Sequence, residues 1–198
     1  KGTGKVWSLS MAGAAPKGIV PADMTPETMN AGMKAGIVPG NIGGYLIQLQ
    51  RFGTMKVADV FATAIDYAEK GYPIDQMLAN SIARGRNNLA KYPTTAKIFL
   101  PNGEPLKQGD LLKNPDYAAT LRKMVEAEAQ ALAKGASREA AIQAAYDRFY
   151  KGDIAKEMVA LLQKHQAPFD LSDFAEFFAR VEEPAKTTYR GYTVYKHA

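Results

Sequence analysis

The sequence contains no cysteine, which excludes a disulfide framework and a thiol nucleophile. It has two histidines, His165 and His197, and neither has a second histidine or a carboxylate at metal-ligand spacing. Its glycines form no phosphate-binding motif. The residues alone therefore show no catalytic apparatus and no metal site, and we expect no cofactor.

Long apolar runs and segregated charge are missing as well. No run approaches the roughly 18 apolar residues that a membrane span needs, so we predict no membrane span. The formal charge is +5, but the cations alternate with acids, as in residues 151–157, which favours a solvated helix surface over a nucleic-acid face. The chain starts at Lys1 without methionine or an apolar leader. We therefore expect a processed or excised piece of a longer protein, from which the original targeting signal has been removed.

Two helix-length apolar patterns in residues 38–74 organise the chain. Apolar residues recur there at spacings of three and four, first Ile42, Tyr45, Leu46, Leu49 and Phe52, then Val57, Val60, Phe61, Ala64, Ile65 and Ala68. Gly43 and Gly44 each cost a helix about 1 kcal/mol relative to alanine. Such glycines are tolerable where another backbone lies close above them. The pattern predicts a helical hairpin in the core.

The rest of the chain reads as mainly helical, with β structure at both ends. Helix starts are indicated at Thr25, Pro73, Asn114, Ser137 and Leu171, and a further helical pattern covers residues 154–164. Residues 5–11 and 187–195 are typical of strands. The predicted class is α+β, with six to eight helices between terminal strands. Isolated strands do not form a stable sheet, so we expect other polypeptide to complete it.

Two short segments are candidates for a role in binding or catalysis. Residues 12–16, after the first predicted strand, are all small or proline, so their backbone could approach another element or a ligand closely. Thr187 and Thr188 are possible nucleophiles only if a threonine begins a chain, where its own α-amine serves as base. Both lie inside a strand-like run, so they are predicted to be structural.

Several segments resemble the large subunit of the gamma-glutamyltranspeptidases. They are residues 51–54 (RFGT), 97–106 (KIFLPNGEPL), 149–155 (FYKGDIA), 171–174 (LSDF) and 189–195 (YRGYTVY). They occur in the family's order over nearly the whole chain. Each segment is short, but together they are specific.

The resemblance implies an N-terminal-nucleophile hydrolase with a four-layer αββα fold completed by a second chain. In that family a precursor cuts itself, and the small subunit begins with the catalytic threonine, which forms an acyl-enzyme. Residues 1–198 would then be a single segment of the large subunit, without a catalytic residue of its own. Its partners would be the small subunit and a small-molecule amide. The family implies a periplasmic or extracellular address, and a cytoplasmic one stays open.

The chain departs from the family at its substrate clamp. Members that act on γ-glutamyl substrates hold the α-carboxylate with an arginine a few residues before an Ala-Pro pair. Aligned on Ala15-Pro16, that position is Ala12, and no arginine precedes Arg51. A small residue cannot replace a bidentate arginine. We therefore predict an amide substrate without an arginine-held glutamyl α-carboxylate, bound at an edge formed by Met11, Ala12, Gly13 and Ala14.

Two alternatives remain open from the sequence. The protein could be a true gamma-glutamyl hydrolase or transferase that binds the carboxylate elsewhere, or a non-catalytic helical scaffold module. A second departure from the family is the alanine-rich segment 126–147, which is longer than the usual connection. It predicts an inserted helix or a lengthened helical hairpin on the outer surface.

Overall fold

The computed structural model describes residues 4–30 and 32–197. Its helices are α1 (Pro26–Asn30), α2 (Asn41–Phe52), α3 (Val57–Lys70), α4 (Gln76–Leu89), α5 (Pro93–Phe99), α6 (Pro115–Ala133), α7 (Arg138–Tyr150), α8 (Asp153–Lys164) and α9 (Leu171–Ala175). Its strands are β1 (Ser8–Ser10), β2 (Tyr72–Pro73), β3 (Leu111–Leu112), β4 (Arg180–Glu182), β5 (Ala185–Tyr189) and β6 (Tyr192–Lys196). The predicted class, mostly helical with strands towards both ends, is confirmed.

Side-chain caps fix the starts of three long helices. Asp75 accepts a hydrogen bond from the amide of Leu78 at 2.7 Å, and so begins α4. Asn114 and Ser137 cap α6 and α7 in the same way, at 3.0 and 3.2 Å. Each cap satisfies one of the backbone donors that a first helical turn leaves unpaired. The predicted starts of α6 and α7 are therefore confirmed, whereas α4 begins after Asp75, and Pro73, the predicted start, belongs to β2.

The α6–α7 hairpin forms the centre of the molecule. Helix α7 packs against α2, α6, α8 and α9. It buries Ala141, Ile142, Ala145, Tyr146, Phe149 and Tyr150. The predicted helical hairpin in residues 126–147 is confirmed. Its predicted position on the outer surface holds for residues 126–140, of which only Glu128 is buried, and is wrong for α7 from Ala141 onwards. Ala141 and Ala145 are buried, whereas Ala129, Ala133 and Ala140 are exposed.

Helices α2 and α3 form as predicted but are not packed along each other. Helix α2 packs on α7, and α3 packs on α6. An apolar cavity of about 540 Å³ lies between them, lined among others by Ile42, Leu49 and Phe61. The prediction of a mutually packed hairpin is wrong in this respect, because each helix packs against one arm of the α6–α7 hairpin instead.

Glu128 of α6 anchors the start of α3. Its carboxylate is buried, with 2% of the residue exposed, and accepts hydrogen bonds from the amides of Val57 at 2.8 Å and Ala58 at 3.2 Å. These are unpaired first-turn donors, and Lys56 at the N-cap supplies no capping side chain. The carboxylate also faces the positive end of the helix dipole. A buried charge is thus matched by two donors of α3.

Arg138 of α7 secures the corner between α2 and α3. Its guanidinium donates to the carbonyls of Leu49 at 2.5 Å and Gly53 at 2.6 Å, and its Nε donates to that of Met55 at 3.2 Å. The last carbonyls of a helix have no partner within the helix. Arg138 supplies one from a segment far along the chain.

The strands form three separate antiparallel pairs. β1 pairs with β4, which places Ser10 opposite Arg180. β2 pairs with β3 beside a second small core around Ile74 and Ile82. β5 and β6 form a hairpin whose ten residues are all exposed. A lone two-stranded hairpin is only marginally stable in water. We therefore still predict that other polypeptide completes this sheet.

Candidate functional site

Residues 11–14 leave β1 and press against the chain that enters α2. The amide of Val38 donates to the carbonyl of Ala14 at 2.9 Å. A Cβ atom on Gly13 would lie 1.7 Å from the Val38 oxygen, and one on Gly40 would lie 2.1 Å from the Met11 oxygen. Only glycine fits at these two positions. The predicted close approach of a backbone at residues 12–16 is therefore confirmed.

The glycines inside α2 make room for side chains. A Cβ on Gly44 would lie 2.3 Å from Cγ of Met11, and one on Gly43 would lie 2.6 Å from the hydroxyl of Tyr150. The prediction that a backbone lies above them is wrong, since Met11 and Tyr150 cover them instead. The side chain of Met11, the residue that follows β1, thereby packs against α2.

Two buried tyrosines hold the surrounding chain in place. The hydroxyl of Tyr150 donates to the carbonyl of Pro39 at 2.5 Å and accepts from the amide of Gly43 at 3.0 Å. The hydroxyl of Tyr146 donates to the carbonyl of Phe177 at 2.7 Å. Burial raises the pKa of both phenols, to about 12 for Tyr146. Both stay neutral at physiological pH, so they act as positioning groups and not as proton carriers.

Segment 11–14 separates two cavities. The larger, about 750 Å³, is mainly apolar, and its lining includes Leu9, Met11, Val38, Ile42, Leu121 and Phe149. The smaller, about 370 Å³, is lined by Ser10, Ala14, Glu176, Phe177, Phe178 and Arg180. Ala12 and Gly13 line both. All four residues predicted as a substrate edge therefore face a cavity, while substrate binding by them stays a prediction.

Arg180 and Phe178 were not found from the sequence. Arg180 reaches the smaller cavity because β4 pairs with β1. β4 has three residues, of which only Val181 is apolar, so it has no usable strand pattern. The pairing joins segments about 170 residues apart, which no local signal reports. Phe178, which lines the same cavity, is 66% exposed.

The remaining polar candidates stay apart from one another. His165, at the end of α8, packs edge-on against Tyr92 with ring centroids 5.4 Å apart. His197 lines the larger cavity. Thr187 and Thr188 lie within exposed β5. In the described ranges no group of three histidine or acidic residues could hold a metal ion. None of the helices in those ranges combines the length and the hydropathy of a membrane span.

The sequence is similar to those of known proteins. Residues 1–198 match the family described as Gamma-glutamyltranspeptidase. The chain is 32% identical over 163 residues to the Acylase ACY 1 proenzyme of Pseudomonas sp. (strain SE83), covering 82% of this chain and 26% of that protein. It is 34% identical over 169 residues to the Glutathione hydrolase proenzyme of Bacillus subtilis (strain 168), covering 85% and 25%. The chain thus spans about a quarter of these curated relatives.

Solved structures show the same fold. The gamma-glutamyltranspeptidase of Helicobacter pylori superposes with a TM-score of 0.81 at 24% identity, covering 96% of this chain and 52% of that one. The cephalosporin acylase of Bacillus halodurans superposes with a TM-score of 0.77 at 25% identity, covering 98% and 35%. The architecture of β1, the helices and β4 to β6 is therefore that of a part of these enzymes.

Proposed function

The chain belongs to the gamma-glutamyltranspeptidase family, and from this premise we propose that residues 1–198 are one segment of the large subunit of an amidohydrolase. The proposed enzyme is an N-terminal-nucleophile hydrolase. The terminal threonine of a second chain attacks the amide carbonyl, and its α-amine takes the hydroxyl proton. The leaving amine receives that proton, and the acyl ester is then released to water or to an acceptor amine.

The observation that supports this proposal is the position of segment 11–14 between two cavities. It is the place to which the family resemblance assigns the substrate edge, and glycine is required there by contact with Val38. The names of the relatives, acylase and glutathione hydrolase, describe amide hydrolysis by those proteins. In our proposal this chain shapes the pocket and contributes no nucleophile.

Exposed apolar structure supports a second chain as partner. All residues of the β5–β6 hairpin are exposed, among them Tyr189, Tyr192 and Val194. Tyr45, Phe52 and Val60, which are each close to half exposed, line the cavity between α2 and α3. In a four-layer αββα enzyme, a threonine-bearing subunit would cover such surfaces. We propose this subunit as the partner.

The complete protein, purified in its native form, tests this proposal directly. Intact-mass analysis and N-terminal sequencing are expected to reveal a second chain that begins with threonine. The same sample is expected to hydrolyse simple amides. A single uncleaved chain that folds cooperatively and has no amidase activity would instead support the helical scaffold alternative.

The specificity that we propose follows from Ala12. Aligned on Ala15-Pro16, this exposed residue stands where the family resemblance expects the clamping arginine, and residues 11–14 contain no cation. We propose an amide whose acyl half lacks an arginine-held α-carboxylate. A γ-glutamyl substrate would have to bind its carboxylate elsewhere, which is the alternative to be tested.

Introducing the missing arginine is expected to create γ-glutamyl activity. We expect Ala12→Arg to raise kcat/KM for a γ-glutamyl anilide by about tenfold or more, since a charge-assisted bidentate pair is worth at least ~1.4 kcal/mol. Ala12→Met, which adds bulk without charge, serves as the control and is expected to give no gain. If the unmodified enzyme already hydrolyses the anilide efficiently, the proposed specificity is wrong.

A further inference from the structure

We propose that Arg180 binds a carboxylate on the amine half of the substrate, so that the enzyme acts on N-acyl amino acids. The inference rests on the proposed amidohydrolase function and names its substrate class. It starts from the smaller cavity, whose lining joins the small residues after β1 to Arg180 and Phe178. Ser10 and Arg180 are paired across the β1–β4 ladder, which places Arg180 beside the predicted substrate edge.

Arg180 is available to a ligand. Its side chain is 65% exposed, and among residues 4–30 and 32–197 its one ion pair joins Nε to Glu182 at 3.5 Å. That separation exceeds the usual length of a charge-assisted hydrogen bond. Glu176, the carboxylate that lines the cavity, is already paired with Lys17 at 2.5 Å. A planar guanidinium presents several donors to a carboxylate at once, which makes it the natural ligand for Arg180.

The two cavities differ in the chemistry of their lining residues. This difference indicates which half of the amide substrate each cavity would bind. The larger cavity is lined by apolar side chains such as Leu9, Met11 and Phe149, and suits an apolar acyl group. The smaller cavity has a cation and an exposed aromatic ring, Phe178, and suits an amino acid with an apolar side chain. Because Ala12 and Gly13 line both cavities, a substrate lying across them would reach each one.

The test compares two substrates in the complete enzyme. N-hexanoyl-phenylalanine carries the carboxylate, and N-hexanoyl-phenylalaninamide lacks its charge. We expect the unmodified enzyme to show a KM about tenfold lower for the acid, equivalent to about 1.4 kcal/mol. In Arg180→Gln this preference is expected to vanish through a higher KM for the acid, with kcat within about twofold for both substrates. Arg84→Gln, which removes an exposed arginine from α4, is the matched control and is expected to keep the preference.

The outcomes separate this inference from the proposed function. If Arg180→Gln leaves the preference for the acid unchanged, the role of Arg180 is refuted although amidase activity stands. If it instead raises the KM only for glutaryl-anilide, whose carboxylate lies on the acyl half, the assignment to the amine half is refuted. If no amide is cleaved at all, the proposed function fails. Calorimetric binding of N-hexanoyl-phenylalanine then decides the matter, and equal affinity in both proteins overturns the inference.

Discussion

Replacing Gly13 by alanine is expected to lower the free energy of unfolding by about 3 kcal/mol or more. Overpacking of a filled interior costs about 1–3 kcal/mol and occasionally more. Here the added Cβ would lie 1.7 Å from the oxygen of Val38, which is backbone and cannot rotate away. The two segments must separate, and the hydrogen bond from Val38 to Ala14 is lost with them. Urea unfolding of the variant and of the unmodified protein measures the difference.

Gly85 offers the matched control for that substitution. It lies inside α4, and a Cβ there would meet only Leu89, at 3.6 Å, which is ordinary contact. Gly85→Ala is expected to raise the stability by up to about 1 kcal/mol, because alanine favours the helix. If Gly13→Ala unfolds at the same urea concentration as the unmodified protein, residues 11–14 and 38–40 do not make the contact described above.

Replacing Tyr150 by phenylalanine is expected to cost about 2 kcal/mol of unfolding free energy. The variant keeps the ring but removes the hydroxyl that bonds to Pro39 and Gly43. Tyr150 is fully buried and so is its bond from Gly43, whose amide would lose its partner where water does not replace it. Leaving a buried polar group unpaired costs about 1–3 kcal/mol. Chemical denaturation of the complete protein measures the loss.

Tyr45→Phe controls for the loss of a tyrosine hydroxyl from the same region. Tyr45 lies on α2, the helix whose start Tyr150 holds, but is 54% exposed. Its substitution is expected to change stability by no more than about 0.5 kcal/mol. Equal stability of both variants would show that the hydroxyl of Tyr150 contributes nothing to the packing of α2.

The features that could be predicted from the sequence are local ones. The starts of α4, α6 and α7 follow from Asp75, Asn114 and Ser137, whose side chains bond within three residues. The turn at residues 102–103 also follows from its Asn-Gly pair, which adopts positive φ angles of 59° and 82°. Pro93 begins α5, because proline suits the first turn of a helix.

The features that could not be predicted depend on distant partners. Helix α7 is buried because α2, α6, α8 and α9 all pack against it. Its alanine-rich sequence alone would fit either a buried or an exposed helix. The candidate site was predicted only in part for the same reason. Residues 11–14 are visible as a run of small residues, but the pairing of β1 with β4 brings Arg180 to them. No periodicity encodes such a pairing.

The contacts of Arg138 have a consequence for the order of folding. The corner after α2 is short and local, yet its carbonyls at Leu49 and Gly53 are bonded by a side chain some 85 residues later. A contact between distant segments forms only after the intervening loop has lost its conformational entropy. The corner therefore gains this stabilisation once α7 has docked, and not while residues 38–74 are still on their own. The stretch with the clearest helical signal in the sequence is therefore complete only when α7 is in place.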